Sequence, residues 1–222
     1  MLDFSTTVQQ RQSIRAYDPT PLSRAELEAV LRDALRAPSA VNAQPWQVHI
    51  ASGETLKKLS AALLEKFAGT PPRPDFPYEQ AAFTGVYAAR MHECYKNVQE
   101  SVGLSREDRE GRRQLAAENM RFYGAPHAAF FFAPTITDNV FVALDVGLLV
   151  QNFMLALTAR GFGSVPQLVL AFYPDVVREI FNVPADMKLL LGVSFGRPDG
   201  SAPINRLRQP RAPLSETAFF HD

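Results

Sequence analysis

The chain has 222 residues, 46% hydrophobic and 21% charged, a length that fits one sizeable domain with a core that needs no covalent staples. Lys and Arg (23) balance Asp and Glu (23), so no global field draws the protein to nucleic acid or an anionic membrane, and any anion site must be local. The single cysteine, Cys94, excludes an intramolecular disulfide and a cysteine-rich metal centre and suits a reducing cytoplasm.

Met1 to Arg15 is polar and lacks the apolar stretch of an export signal. Within it, Arg11-Gln12-Ser13-Ile14-Arg15 sets two guanidinium forks around a hydroxyl at a helix end, good chemistry for a phosphate monoester, although read alone a solvated basic turn is the preferred explanation. Ser23 and Glu26 form a capping box that opens a helix to about Arg36, with Leu27, Val30, Leu31, Ala34 and Leu35 on one face. The helix stops at Pro38, and a loop carrying Ser39, Asn42 and Gln44 leads through Pro45-Trp46 into a strand over Gln47 to Ala51. Such neutral donors and acceptors suit the polar edge of a heterocycle, or ordinary capping and turns. Gly53 to Phe67 is helical, and Pro71, Pro72, Pro74 and Pro77 then make a stiff linker.

Two more helices are expected over Glu79 to Val102 and Arg106 to Phe122, the second capped by Ser105 with Asp108 three residues on. The first carries Phe83, Tyr87, Met91 and Tyr95 at i, i+4 spacing, a stripe that reads either as core or as a surface presented to a ligand. Ala128 to Ala133 and Lys188 to Phe195 are short apolar strands. Val140 to Arg160 is apolar on nearly every face but interrupted by Asp145, Gln151 and Asn152, so it reads as a buried helix rather than a membrane span. It is covered either by one domain or by a dimer core. Gly161-Phe162-Gly163-Ser164 reads as its C-cap and turn. Pro198, Pro203, Pro210 and Pro213 mark residues 198–222 as an extended arm that must lie on something, with a basic run from Arg206 through Arg208 to Arg211. Few strands among many helices give an α+β class: one domain over 1–222, with a small, mostly antiparallel sheet covered by helices.

The usual catalytic constellations fail. His49, His92, His127 and His221 are scattered without metal-ligand spacing, no nucleophile elbow or phosphate loop occurs, and Cys94 on a helix is a weak candidate nucleophile. No catalytic side chain and no metal site are therefore expected.

The motifs nevertheless combine. Arg-x-Ser-x-Arg at residues 11–15, Pro-Ser-x-x-Asn-x-Gln-Pro-Trp at 38–46, Phe122-Tyr123-Gly124-Ala125-Pro126, the Asp145 helix ending in Gly161-Phe162-Gly163-Ser164, Leu191 to Pro198, and the late Arg-x-Pro-Leu at 211–214 together resemble the nitroreductase family of flavoenzymes over essentially the whole chain. The resemblance implies an α+β sandwich forming an intertwined homodimer with exchanged C-terminal arms and an FMN at each subunit interface. It implies that Arg11, Arg15 and Arg211, with Arg208 beside them, neutralise the FMN phosphate, and that Gln12 and Ser13 bond the phosphate, ribityl chain or pyrimidine edge. Pro38, Ser39 and Asn42 would come from the partner subunit. Val165, Pro166, Gln167 and Leu168 would line the isoalloxazine ring, with a backbone N–H near N5. Residues 68–122 would form a helical lid that places Phe83, Tyr87, Met91 and Tyr95 over the substrate face.

The sequence departs from the family pattern at Gln12, where a basic residue or histidine is common, and at Gln167-Leu168, where the best-known bacterial members have Glu-Gly. The missing acid–base residues then make sense, because hydride chemistry resides in the flavin. The implied activity is a cytoplasmic ping-pong oxidoreductase that takes hydride from NAD(P)H and reduces a small nitroaromatic or quinone-like acceptor. A flavin-storing or flavin-consuming relative and a non-enzymatic redox sensor on the same fold are the alternatives.

Overall fold

Ala128, Ala129, Phe130, Phe131, Phe132 and Ala133 are completely buried, and in the computed structural model they form the middle of strand β3 (His127–Pro134). The structure describes residues 1–221; Asp222, the last residue of the expected arm, lies outside the described residues. A strand buried on both faces must be central. β3 pairs antiparallel with β2 (Gln47–Ser52) on one side and β5 (Met187–Pro198) on the other. β5 also pairs antiparallel with β4 (Gly163–Gln167) and with the two-residue β1 (Tyr17–Asp18).

Alternation along β3 serves two cores. On one face Ala129, Phe131 and Ala133 pack with Val193 and Phe195 under α2 (Arg24–Ala34) and α6 (Val140–Thr158). On the other, Ala128, Phe130 and Phe132 meet α3 (Gly53–Gly69), α7 (Pro174–Phe181), Met120 and Phe122. The α+β sandwich expected from the sequence is therefore present, with helices on both sides of an antiparallel sheet.

α6 has a mean hydropathy of 2.0 over its most apolar window, long and apolar enough to cross a membrane by composition alone. Val142, Val146, Leu149, Val150, Phe153 and Leu157 are buried, which fits a core helix. Phe141, Leu144 and Leu148 remain exposed along the opposite side, so one chain covers only part of the helix.

Several boundaries differ from expectation. The helix predicted over 79–102 is a short 3₁₀ turn (Gln80–Ala82) followed by α4 (Gly85–Ser101). Gly85 adopts a left-handed φ of 57°, which fits the break, so Phe83 precedes the helix instead of sharing its stripe. The helix predicted over 106–122 is α5 (Arg109–Ala117), and its cap is Asp108, whose side chain accepts from Gly111 N, not Ser105. α4 contains no buried residue. The Tyr87 and Tyr95 stripe is thus not core within one chain: they are 64% and 46% exposed.

The proline linker is pinned rather than free. Asp75 pairs with Arg178 at 2.6 Å and accepts from Leu189 N at 2.8 Å, and Arg73 N donates to Phe172 O.

The C-terminal arm is not uniformly extended. It contains a 3₁₀ turn (Pro203–Arg206) and one turn of helix, α8 (Leu214–Thr217). It first runs along its own chain: Arg208 donates to Gln10 O, Gln209 bonds Cys94 O and Asn97, and Glu216 pairs with Arg90. Beyond that, Phe219 and Phe220 stand 73% and 85% exposed.

Candidate functional site

The arginine motif follows α1 (Phe4–Gln10), a short helix capped by Asp3. Its backbone is pressed against β4. Ile14 N donates to Ser164 O at 3.0 Å, and Ser13 and Ser164 form a parallel bridge. Gly163 permits this approach: a Cβ there would lie 2.6 Å from Ile14 Cγ1, well inside contact distance. Asn205 locks the motif to the arm. Its Oδ1 accepts from Arg15 N at 2.8 Å, its Nδ2 donates to Ala16 O and Asp199 O, and its carbonyl accepts from Gln12 Nε2 at 3.0 Å. These bonds bring the two chain ends together. Sequence reasoning missed Asn205, because a residue that works by bonding a backbone 190 positions away leaves no local pattern.

The result is one cleft lined by Arg11, Gln12, Ser13, Arg15, Arg208 and Arg211, with Cys94 of α4 and Gln151 of α6 on its walls. The sequence placed these six in one site, and the fold assembles them. Among the described residues none of the four guanidiniums has a carboxylate within ion-pair distance, although eleven ion pairs occur elsewhere. Burial pulls the Arg11 guanidinium below the ordinary arginine range, and the charges of Arg211 and Arg208 push the same way. Four cations that repel one another and lack acids form a cradle for a polyvalent anion. Gln12 Oε1 is buried with no hydrogen-bond partner, an acceptor awaiting a donor.

Ser39, Asn42 and their loop do not line this cleft within one chain. The loop is strained: Val41, Asn42 and Gln44 adopt left-handed φ of 47°, 57° and 50°, at a cost of about 1–3 kcal/mol each. Asp145, 5% exposed on α6, holds it by accepting from Ala40 N at 3.1 and 3.2 Å, and Ser39 Oγ accepts from Gln44 N. Val41 at the tip is 98% exposed. Left-handed non-glycine residues persist only where surrounding contacts hold them, here the Asp145 carboxylate and the Ser39 hydroxyl.

The Val165–Leu168 segment also differs from expectation. Gly163–Gln167 is a strand, not a cap and turn, because β5 offers it a ladder from Gly192 to Gly196. Ser164 O bonds Ile14 on the far side, so Val165 and Gln167 direct their backbone groups toward β5. Pro166 has no N–H, which leaves Leu168, at the strand end and 40% exposed, as the outward-facing donor. The Gln167 side chain is 3% exposed and committed elsewhere: Nε2 donates to Asn119 O and Oδ1, and Oε1 accepts from Ser194 Oγ.

Tyr123 lies in the Phe122–Pro126 motif, whose sequence alone assigns it no role. Its ring centroid lies 6.0 Å from Arg15 Cζ, in a segment where Phe122 and Tyr123 both adopt left-handed φ, 55° and 53°. No group of His, Cys, Asp and Glu among the described residues has metal-binding geometry. His127 is structural: Nε2 accepts from Leu22 N at 2.8 Å and Nδ1 faces Ser52 Oγ.

With this geometry in hand, similarity to known proteins is informative. The profile of the nitroreductase family matches residues 8–197. The chain is 39% identical over 213 residues to nitroreductase NfnB of Mycolicibacterium smegmatis, covering 96% of this chain and 90% of that protein. It is 30% identical to 4-nitrobenzoate reductase of Pseudomonas putida, covering 94% and 91%. Among solved structures, the FMN-dependent nitroreductase NfnB from Mycobacterium smegmatis in complex with NADPH superposes with a TM-score of 0.94 at 38% identity, covering 99% of this chain and all of that one.

Proposed function

The chain belongs to the nitroreductase family, and from that premise we propose that it is an FMN-dependent oxidoreductase that oxidises NAD(P)H and reduces small nitroaromatic or quinone-like acceptors. The observation that carries this reading is the acid-free cluster of Arg11, Arg15, Arg208 and Arg211. A phosphate monoester with nearly two negative charges offsets about half of such a cluster and offers several acceptor oxygens to its forks, whereas a carboxylate offsets only about a quarter.

The residues fit FMN. The four arginines hold the phosphate, and Ser13 offers a hydroxyl beside it. Gln12 Oε1, buried without a partner, accepts from a ribityl hydroxyl or the flavin imide N–H. The Leu168 N–H at the end of β4 is the donor offered to the ring, in place of the Gln167 side chain, which is already satisfied. Bound there, FMN would supply the hydride and electron transfer, with donor and acceptor taking turns at one site in a ping-pong cycle.

The chain's own part is to bind, orient and exclude water, which explains why no acid–base constellation lines the cleft. Ser39 and Asn42 reach the cofactor from a partner subunit, so the working unit is a homodimer. The exposed Phe141, Leu144 and Leu148 on α6, an α4 with nothing buried, and Phe219 and Phe220 at the arm's end all support that assembly.

A spectrum of the purified protein tests the reading. Flavin absorbance should be bleached within seconds by NADPH or NADH and restored by 4-nitrobenzoate or a quinone. A protein that holds FMN but resists bleaching belongs instead to a storage or sensor class.

A further inference from the structure

The phosphate cleft and the root of the helical excursion (α4 and α5) are joined by a run of side chains, Ser194 and Gln167 buried and Asn119 and Tyr123 partly so, that the proposed function leaves without a role. Ser194, fully buried in β5, donates its hydroxyl to Gln167 Oε1, and Gln167 Nε2 holds both Asn119 O (3.0 Å) and Asn119 Oδ1 (3.2 Å). Asn119 follows α5, where the excursion returns to the domain. Four residues later, Tyr123 N donates to Glu118 O at 2.9 Å and its ring stands 6.0 Å from Arg15 Cζ. Phe122 N donates to Asn119 O at 3.1 Å, which ties the Tyr123 segment to the same asparagine, and the Tyr123 phenol is pushed up by burial while the Arg15 charge draws it back. On the far side of the same motif, Tyr17 bonds Ile14 O at 2.7 Å and the carbonyl of the same Ser194 at 3.1 Å.

Arg15 needs such support. Among the described residues its side chain makes a single long hydrogen bond, 3.5 Å from Nη1 to Ser13 O, and meets no carboxylate. A four-bond side chain with no other contact would sample many rotamers and lose much of its worth as a fixed fork. Phe122 and Gly124 anchor the ring from either side: Phe122 is 1% exposed against Phe130, and Gly124 adopts a φ of 73°. Two successive left-handed non-glycine residues persist only where packing dictates them.

We propose that Tyr123 is a positioning residue for the cofactor phosphate: clamped through Asn119, Gln167 and Ser194, it holds the Arg15 guanidinium over the cleft and so ties the root of the α4–α5 excursion to the phosphate site. This rests on the FMN reading above.

The test compares two ligands that differ only in the phosphate. Kd is measured for FMN and for riboflavin with wild-type protein, Tyr123→Leu and Tyr123→Phe, alongside the melting temperature of each apoprotein. Wild type should prefer FMN strongly. Tyr123→Leu should narrow that preference by about 3- to 30-fold, from a lost cation–aromatic contact, and Tyr123→Phe, which keeps the ring, should restore most of it. In an Arg15→Met background, Tyr123→Phe and Tyr123→Leu should leave the ratio where Arg15→Met put it. Equal weakening of both ligands would show that Tyr123 only supports the fold, and an unchanged ratio in Tyr123→Leu would overturn the proposal. Should Tyr123→Leu fail to fold, a ratio that Tyr123→Phe changes equally with Arg15 present and absent overturns it too. A wild-type protein with no preference for FMN over riboflavin would instead sink the phosphate-cradle reading itself.

Discussion

Replacing Arg11 with methionine should move the free and loaded proteins in opposite directions. Arg11 is half-buried, unpaired with any acid among the described residues, and repelled by Arg211 and Arg208. Without an anion its charge is a liability, so Arg11→Met, which keeps the apolar stem, should leave the melting temperature of the apoprotein unchanged or higher. With FMN bound the same charge makes one of the charge-assisted bonds to phosphate, worth about 1.5–3 kcal/mol, so Kd should rise roughly 10- to 150-fold. At FMN equal to one hundred times the wild-type Kd, wild type gains about 2.7 kcal/mol from ligand, whereas a variant weakened 100-fold gains about 0.4. For a chain of this size that difference corresponds to a melting temperature about 5–9 °C lower. Differential scanning fluorimetry on flavin-stripped and reloaded protein reads both arms. An apoprotein that melts several degrees lower while FMN affinity stays at the wild-type value would refute the reasoning, because Arg11 would then be a structural residue.

Three further outcomes follow from particular contacts. Tyr87→Ala and Tyr95→Ala should alter kcat/KM between acceptors while FMN content and melting temperature stay near wild type, since neither side chain is buried in the chain; equal losses of flavin and stability would show a packing role. Removing residues 212–222 deletes an exposed Arg90–Glu216 pair of little value to one subunit together with Phe219 and Phe220, so sedimentation and flavin retention should fall together, and an unchanged dimer would contradict the arm's role. The His127 imidazole is depressed by burial below its usual value, with the Glu26 charge opposing, so the unfolded chain takes up the proton first. Stability should be complete above about pH 6.5 and decline below it toward the depressed folded value. His127→Gln should melt lower at pH 7.5 yet lose less on acidification, as thermal melts from pH 7.5 to 5 can show; a parallel decline would mean that another group governs the slope.

Much of this architecture is written locally. The Ser23–Glu26 capping box forms as its spacing dictates, with Glu26 Oε2 accepting from Ser23 N and Ser23 Oγ from Glu26 N. The apolar run at β3 and the unbroken hydrophobicity of α6 need only periodicity to be seen. β4 is different: Gly-Ser-Val-Pro-Gln has no strand signature, and it becomes a strand because β5 presents an edge and Ile14 fills the space over Gly163. α1 shows only Thr7 buried and depends on the Asp3 cap rather than an apolar stripe. Ser105 and Asp108 are both good caps on paper, and three-dimensional reach to Gly111 decides between them. The arginines of the cleft were visible as charges out of place, whereas Asn205 and Tyr123, which aim them, act through contacts that no window of sequence contains.

The central strand carries a consequence for how the protein is made. Ala128 to Ala133 is uncharged, proline-free and fully buried between β2 and β5. During synthesis β2 is available at once, but β5 begins only at Met187. At ribosomal speeds of about 5–20 residues per second, one hydrogen-bonding edge of Phe130-Phe131-Phe132 waits roughly 3–10 s for its partner. A six-residue apolar segment with an open edge is the kind of template that recruits other chains. Yield in the cell should therefore depend on the supply of holding chaperones as well as on the stability of the finished fold, and slowing translation before residue 187 should enlarge the insoluble fraction.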